Sequence, residues 1–244
     1  MIGTPRVHYR LTDSTNERAK ELADAGALHG TLVTADEQES GRGRQGRAWT
    51  APPGSAVLMS LILRDLDERH ALLPLAAAVA VCEACKAAAA TAGGPAPTAG
   101  APAPRIKWPN DVWIDRRKVA GILIEGRPQE GWAVIGIGLN VTTDSFPPKL
   151  AEIATSLRLA GHDTTPAAVL ATLLTALDGW IGAPPGPVLE AWRSRDALRG
   201  ERVRWSGGEG GEGVAAGIDD SGALLVRTDD GLVTLDAGEV HLLR

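Results

Sequence analysis

The chain has 244 residues, 44% of them hydrophobic and 23% charged, which is typical of a folded globular protein and excludes a disordered chain. A formal net charge of −5 excludes a surface that is basic all over, and two cysteines exclude a disulfide scaffold. The N-terminal residues lack the apolar core of a signal peptide. The longest apolar stretch, Ala71 to Cys85, is shorter than the ~18 residues of a membrane span and contains Glu83. We therefore expect a cytoplasmic protein with no membrane partner.

The first 90 residues alternate between strand and helix patterns. Capping side chains from Asp13 to Glu17 precede a charged helical stretch, and Pro74 is tolerated in the first turn of a second one. Residues 37 to 50 contain three glycines and no apolar periodicity, which indicates a loop. The predicted elements are strands Arg6–Leu11, Gly30–Ala35 and Ala56–Leu63, helices Glu17–Asp24 and Leu72–Ala90, and the loop Glu37–Thr50.

The middle of the chain begins with a predicted loop insertion, Gly93 to Pro104, made mostly of glycine, proline, alanine and threonine. Four strand patterns and three helical patterns follow, and the polar run Asp115–Lys118 predicts a hairpin turn. The predicted strands are Arg105–Trp108, Val112–Asp115, Val119–Glu125 and Trp132–Val141, and the predicted helices are Lys149–Arg158, Pro166–Ile181 and Val188–Ser194.

The end of the chain changes character, because five short strand patterns recur there at nearly regular spacing. This spacing predicts a small antiparallel barrel and a boundary near Leu198–Gly200, which divides the chain into residues 1–199 and 200–244. The predicted strands are Arg202–Trp205, Gly213–Ile218, Ala223–Arg227, Leu232–Leu235 and Val240–Leu243.

The segment from Ser40 to Arg47 holds three arginines and three glycines in an otherwise acidic chain. Glycines let the backbone approach a ligand, and arginines offer fixed forks of donors to phosphate or carboxylate groups. The pattern therefore indicates an anion-binding loop. A solvated basic loop or an RGG-like segment remains the alternative, and neither common nucleotide fingerprint is present.

Two further motifs lie in the four-strand region. Lys107-Trp-Pro-Asn-Asp111 groups a cation, an amide and a carboxylate where one strand ends, although the same residues suit an ordinary turn. Gly121, Gly136 and Gly138 lie within neighbouring predicted strands, the last two on one strand face. Missing side chains on adjacent strands predict a slot for a slender ligand, and barrel-type bulges are the alternative.

Other residue types give no catalytic signal. Cys82 and Cys85 lie within a helical pattern, no further cysteine completes a zinc site, and the five histidines have no ligand spacing. With no recognisable protein nucleophile, we expect the substrates to supply the nucleophile and the protein to supply charge and orientation.

Taken in order, the motifs resemble those of biotin protein ligases, from about residue 8 to 244: Asp13-Ser-Thr-Asn16, Gln38, Gly41–Arg47, Lys107–Asp111, Lys118–Glu125 and Gly136–Asn140. The resemblance implies an α+β fold, with a mixed sheet packed against helices and an SH3-like barrel after it. It implies the conversion of biotin and ATP, with Mg²⁺, to biotinyl-5′-AMP and pyrophosphate. The biotinyl group then passes to a lysine of a biotin carboxyl carrier domain, typically of an acyl-CoA carboxylase.

The resemblance also implies a role for each matching residue. Four residues would lie beside the ureido end of biotin: Ser14, Thr15, Asn16 and Gln38. Four others would line the slot: Gly121, Leu123, Gly136 and Gly138. The loop residues Arg42, Gly43 and Arg44 would fold over the biotinyl carbonyl and phosphate, with Arg47 nearby. The nucleotide would be bound by Lys107, Asn110, Asn140 and Trp49, with Trp49 stacked on the adenine. Lys118 would hold the biotin carboxylate and α-phosphate, and Asp111 would lie near the incoming lysine. No residue is assigned to a metal.

Some related ligases carry an N-terminal winged helix and repress transcription. Because the first motif begins at Asp13, we expect no DNA-binding domain and no DNA partner. Two alternatives stay open: a lipoate or octanoyl transferase of the same superfamily, and a non-enzymatic nucleic-acid-binding module. The sequence is compatible with a monomer or a homodimer.

Overall fold

The computed structural model describes residues 2–90, 102–127, 130–206 and 210–243. Residues 93–101 of the predicted loop insertion therefore lie outside the described residues.

Seven strands form a mixed sheet in the order β1-β2-β3-β7-β6-β5-β4. β1 and β2 are parallel, and every other neighbouring pair in this sheet is antiparallel. The predicted strands are confirmed, with small shifts at their ends. They are β1 (Arg6–Thr12), β2 (Leu32–Gln38), β3 (Ala56–Arg64), β4 (Arg105–Lys107), β5 (Asp111–Ile114), β6 (Arg117–Arg127) and β7 (Trp132–Asn140).

Helices cover both faces of this sheet. On one face, Ala19 and Ala23 of the first helix pack against Ile62 and Val134. On the other face a larger core contains Met59 and its alternating neighbours on β3, together with the remaining long helices. The helices are α1 (Thr15–Asp24), α2 (Leu73–Ala90), α3 (Pro148–Ala151), α4 (Pro166–Ile181) and α5 (Pro185–Arg193).

The longest helix, α2, is a core element. The stretch His70–Ala88 has 19 residues and a mean hydropathy of 1.7, enough to cross a membrane by length and composition alone. However, 72% of its most apolar 18-residue segment is buried inside the protein, and α2 packs on α4 and the sheet. Cys82 and Cys85 are buried within it, and burial raises the pKa of the Cys82 thiol to about 12. These cysteines are packing residues, as the sequence predicts.

The helix predicted from Lys149 to Arg158 is wrong except for the single turn of α3. The backbone beyond that turn bonds to β6 instead: Lys118 N–H donates to the Ile153 carbonyl, and Thr155 N–H donates to the Lys118 carbonyl, both at 2.8 Å. These bonds require extended backbone, so the helix cannot continue.

A second, antiparallel sheet of five strands follows in the order β11-β10-β9-β8-β12 and confirms the predicted small barrel. Its side chains continue the core of the first sheet, and Trp108 Nε1 donates to the Gly222 carbonyl at 3.0 Å. The barrel is therefore attached directly beside the Lys107–Asp111 motif. Its strands are β8 (Arg202–Ser206), β9 (Gly211–Ile218), β10 (Leu224–Thr228), β11 (Gly231–Leu235) and β12 (Glu239–Leu242).

Candidate active site

The three slot glycines meet on the sheet face that carries α1. Gly121 on β6 lies opposite Gly138 on β7, and Leu123 lies opposite Gly136, with no register shift along this pair of strands. Regular pairing excludes the alternative that these glycines mark bulges. Because side chains alternate along a strand, the three glycines remove side chains from one continuous strip.

Two side chains from elsewhere in the chain lie in this strip. A Cβ atom on Gly138 would lie 2.4 Å from the Trp49 indole, and one on Gly121 would lie 3.1 Å from it. A Cβ atom on Gly136 would lie 2.0 Å from Asn16 Oδ1. The glycines thus admit Trp49 and Asn16, and the cavity beside them has a volume of about 120 Å³.

The polar end of the cavity is built by the start of α1 and the end of β2. Thr15 N–H donates to Gln38 Oε1 at 2.7 Å, and the Thr15 hydroxyl donates to the same oxygen at 3.1 Å. These bonds fix the orientation of the Gln38 amide and leave its Nε2 donor without a partner among the described residues. The Ser14 hydroxyl, on a residue 2% exposed, is likewise unpaired within the described chain. Two free donors therefore reach the cavity wall.

Asn16 is held from both sides. Its Oδ1 accepts from the Ser60 hydroxyl at 2.6 Å, and its Nδ2 donates to Glu125 Oε2 at 2.9 Å. Burial alone would raise the pKa of Glu125, but the Asn16 hydrogen bond and the positive charges of Lys20 and Arg42 outweigh it, and the pKa lies below its ordinary value. The Asn16 amide therefore ends the slot in a fixed position.

The glycine–arginine loop closes on itself over this cavity. Gly41 and Trp49 are joined by a bond from Trp49 N–H to the Gly41 carbonyl at 2.8 Å, and Gly43 N–H donates to the Arg47 carbonyl at 2.7 Å. A Cβ atom on Gly41 would lie 2.3 Å from the Trp49 carbonyl oxygen, so only glycine fits there. The loop prediction is confirmed, with one short 3₁₀ turn at Arg44–Gly46.

Carboxylates accompany three of the four cations at the cavity. Arg42 pairs with Glu17 and lies 3.5 Å from Glu125. Arg47 pairs with Glu239 of the barrel. Lys118 Nζ lies 2.7 Å from Asp111 Oδ1 and 5.5 Å from the centre of the Trp49 ring. An anionic ligand at these cations would compete with carboxylates of the protein itself.

Sixteen of the eighteen predicted site residues line this one cavity: Ser14, Thr15, Asn16, Gln38, Arg42, Gly43, Arg44, Arg47, Trp49, Asn110, Asp111, Lys118, Gly121, Leu123, Gly136 and Gly138. The remaining two are Lys107 and Asn140. The cavity wall thus brings the predicted biotin residues together with most of the predicted nucleotide residues.

Lys107 lies in an adjoining depression with Glu239 and His241 of the barrel, and its ammonium is 5.4 Å from the centre of the Trp113 ring. Burial lowers the pKa of Lys107. Asn140 is buried and donates from Nδ2 to the Thr155 carbonyl at 3.0 Å, which holds the segment after α3 against β7. The nucleotide roles of Lys107 and Asn140 stay predictions.

Sequence reasoning missed Ser60, Glu17 and Glu239. Ser60 did leave a signal, because it is the single polar residue in the apolar run of β3. Glu17 and Glu239 left none, since exposed-looking glutamates in a helix and at a strand end are common. Among the described residues, no group of three histidine, cysteine or acidic side chains could hold a metal ion.

Residues 8–141 match the biotin/lipoate A/B protein ligase family, and residues 200–243 match the biotin protein ligase C-terminal domain. The chain belongs to the biotin/lipoate A/B protein ligase family. A solved biotin protein ligase from Aquifex aeolicus, in complex with biotin and ATP, has a TM-score of 0.82 with 27% identity, and the match covers 99% of both chains. This likeness confirms the predicted fold class.

Two curated relatives are named as ligases. The biotin–[acetyl-CoA-carboxylase] ligase of Paracoccus denitrificans is 35% identical over 246 residues, which cover 94% of this chain and 97% of that protein. The bifunctional ligase/repressor BirA of Bacillus spizizenii is 35% identical over 255 residues, which cover 99% of this chain and 75% of that protein. The predicted enzyme class, a biotin ligase that uses ATP, is confirmed.

Proposed function

We propose that this ligase converts biotin and MgATP to biotinyl-5′-AMP and pyrophosphate, and then transfers the biotinyl group to a lysine of a biotin carboxyl carrier domain, releasing AMP. One observation carries the proposal. A single cavity joins a glycine-floored slot, which has free donors at its polar end, to a cluster of one lysine and three arginines.

The slot suits the ring end of biotin. The free donors of Ser14 and Gln38 match an acceptor such as the ureido carbonyl oxygen, and buried donors that find an acceptor add both affinity and selectivity. Leu123 and the Trp49 ring supply apolar surface for the rest of a slender ligand.

The cation cluster suits the activation step. When a carboxylate attacks the α-phosphate of ATP, two anions approach each other, and positive charge placed at that point lowers the barrier. Lys118 is on the strand that forms the slot floor, while Arg42 and Arg44 come from the loop above it. Their role is to neutralise the carboxylate and α-phosphate together, and the closed loop keeps water from the mixed anhydride.

The transfer step needs a neutral lysine amine. Asp111 lies at the cavity and is paired with Lys118, so its carboxylate is positioned to accept a proton or to orient the incoming ammonium. The nucleophile is then the acceptor lysine itself, and AMP is the leaving group.

The acceptor in our proposal belongs to an acyl-CoA carboxylase, in keeping with the name of the Paracoccus relative. We assign the chemistry to residues 1–199 and an assisting role at ATP or the acceptor to residues 200–244. The contact of Arg47 with Glu239 supports that assistance, because it joins the barrel to the arginine loop. A cytoplasmic place of action completes the proposal.

The decisive experiment measures pyrophosphate release from ATP with biotin and no acceptor protein. Release that depends on biotin supports the proposal, and its absence in folded protein that binds biotin would contradict it.

Calorimetry with biotin and with lipoate separates the two substrate classes of the family. A gel shift that is insensitive to biotin would instead favour the nucleic-acid-binding alternative.

A further inference from the structure

Ser60 lies beneath the polar end of the slot and outside the set of residues that would touch a ligand. It is 0% exposed and stands in the middle of β3, where all its strand neighbours from Ala56 to Leu63 are apolar. A buried hydroxyl in such a strand loses solvation and needs partners. Its partners are both residues of the start of α1: Asn16 Oδ1 at 2.6 Å and Thr15 Oγ1 at 2.9 Å.

The hydroxyl proton of Ser60 has a defined destination. An amide oxygen can only accept, so the contact at 2.6 Å requires Ser60 to donate to Asn16. The opposite end of the Asn16 amide donates to the Glu125 carboxylate, which can only accept, so the amide cannot turn over. Ser60 is also paired across the sheet with Gly136, the glycine whose missing side chain leaves room for Asn16.

We infer that Ser60 is a positioning residue that fixes Asn16 as the end wall of the biotin slot. Ser60 would thus act on biotin recognition without touching biotin, a role that rests on the proposed function. Without the Ser60 hydroxyl, Asn16 Oδ1 would lose its donor and Asn16 would leave its position part of the time. Biotin would then bind only the fraction of molecules in which the wall is in place.

The test is calorimetric titration of biotin into wild-type protein, Ser60→Ala and Ile62→Val. Ile62 is the matched control, because it lies two residues along β3 on the same face and makes only apolar contacts with α1. We expect Ser60→Ala to weaken biotin binding by about 5- to 100-fold and Ile62→Val to leave it within about twofold. In steady-state assays the KM for biotin should rise, while kcat at saturating biotin and the KM for ATP stay close to wild type.

A double-mutant cycle separates positioning from general loss of stability. In an Asn16→Ala background the wall is already gone, so adding Ser60→Ala should change biotin affinity by less than about twofold. An equal loss in both backgrounds, or wild-type affinity in Ser60→Ala, would overturn the inference. If Ser60→Ala does not fold, Ser60→Cys, a weaker donor of similar size, replaces it in both arms. Wild-type protein that fails to bind biotin would count against the proposed function instead.

Discussion

Trp49 lies so close to the β7 backbone that a Cβ atom on Gly138 would be 2.4 Å from its indole ring. The ring also lies under the Lys118 ammonium, 5.5 Å from its centre. Trp49 therefore connects the arginine loop to the slot floor and to Lys118. A side chain at position 138 would displace the Trp49 ring from this contact.

Gly138→Ala should push the indole out of this position. Overpacking of a well-fitted contact typically costs ~1–3 kcal/mol, so we expect the KM for ATP to rise by about 10-fold or more, with a smaller rise for biotin. Steady-state kinetics measure both values. Gly179→Ala is the matched control, because a Cβ atom there meets nothing within 4 Å. Trp49→Phe should partly rescue Gly138→Ala, since the smaller ring leaves room, and a double variant no better than Gly138→Ala would contradict the steric explanation.

Local patterns predicted the parts of the fold that depend on local chemistry. α4 has its predicted bounds, because Thr165 accepts from Ala168 N–H as the N-cap and Pro166 suits the first turn. The helix predicted after Lys149 failed because Ile153 and Thr155 bond to a strand more than thirty residues earlier in the chain. The secondary-structure propensities of residues 149–158 carry no information about a hydrogen-bond partner so distant in the chain.

The same distinction holds at the site. Strand alternation alone places Gly136 and Gly138 on one face, so the slot was predictable. The side chains that border the slot, Asn16 and Trp49, come from α1 and the loop. The pairing of Arg47 with Glu239 depends on where the barrel docks. These contacts are set by tertiary packing, which periodicity does not report.

The arginine loop should be protected from trypsin by ligands. Arg42 and Arg47 are largely exposed, and their carboxylate partners are weak restraints in water. Biotin with MgATP should bring anions to the same guanidinium groups, so cleavage between Glu37 and Trp49 should slow by about 10-fold or more. Mass spectrometry of timed digests locates the cut sites, and cleavage at a remote site such as Arg227 serves as the control. Equal cleavage of the loop with and without both substrates would contradict ligand-induced ordering.

Asp13 should make the start of α1 sensitive to acid. Its carboxylate accepts from Arg18 at 2.6 and 3.0 Å and from Ser14 N–H at 2.6 Å, and these contacts hold the pKa of Asp13 well below its ordinary value. A lowered folded-state pKa stabilises the protein above the unfolded value of about 3.9, and the contribution is lost as pH falls below it.

Asp13→Asn should therefore lower Tm at pH 7 by roughly 2–4 °C, corresponding to about 1 kcal/mol for a carboxylate that is 40% exposed and partly screened by solvent. The difference from wild type should shrink between pH 4 and pH 2. Thermal melts at several pH values measure it, with Asp144→Asn on an exposed loop as the control. A difference that stays constant down to pH 2 would mean that the charge of Asp13 is not its cause.

Lys118 should matter most in the first half-reaction. A charged hydrogen bond at the point where carboxylate and α-phosphate meet is worth ~1.5–3 kcal/mol, so Lys118→Ala should slow adenylation by about 10- to 200-fold. Lys118→Arg should not restore the full rate, because the guanidinium fork is larger than a point charge and the Trp49 ring and Asp111 leave it little space. Lys86→Ala, an exposed lysine on α2, should be neutral.

Single-turnover kinetics of the two half-reactions test this role, with folding checked by thermal melts. Transfer from separately supplied biotinyl-AMP should suffer less than adenylation in Lys118→Ala, because repulsion between the carboxylate and the phosphate has already been overcome in that intermediate. Loss of Lys118 also leaves the Asp111 carboxylate without its ion-pair partner, so some effect on transfer is expected. Near-normal adenylation by folded Lys118→Ala would remove this residue from the activation step and point to Lys107, the half-buried cation beside the cavity, as the group that meets the phosphate.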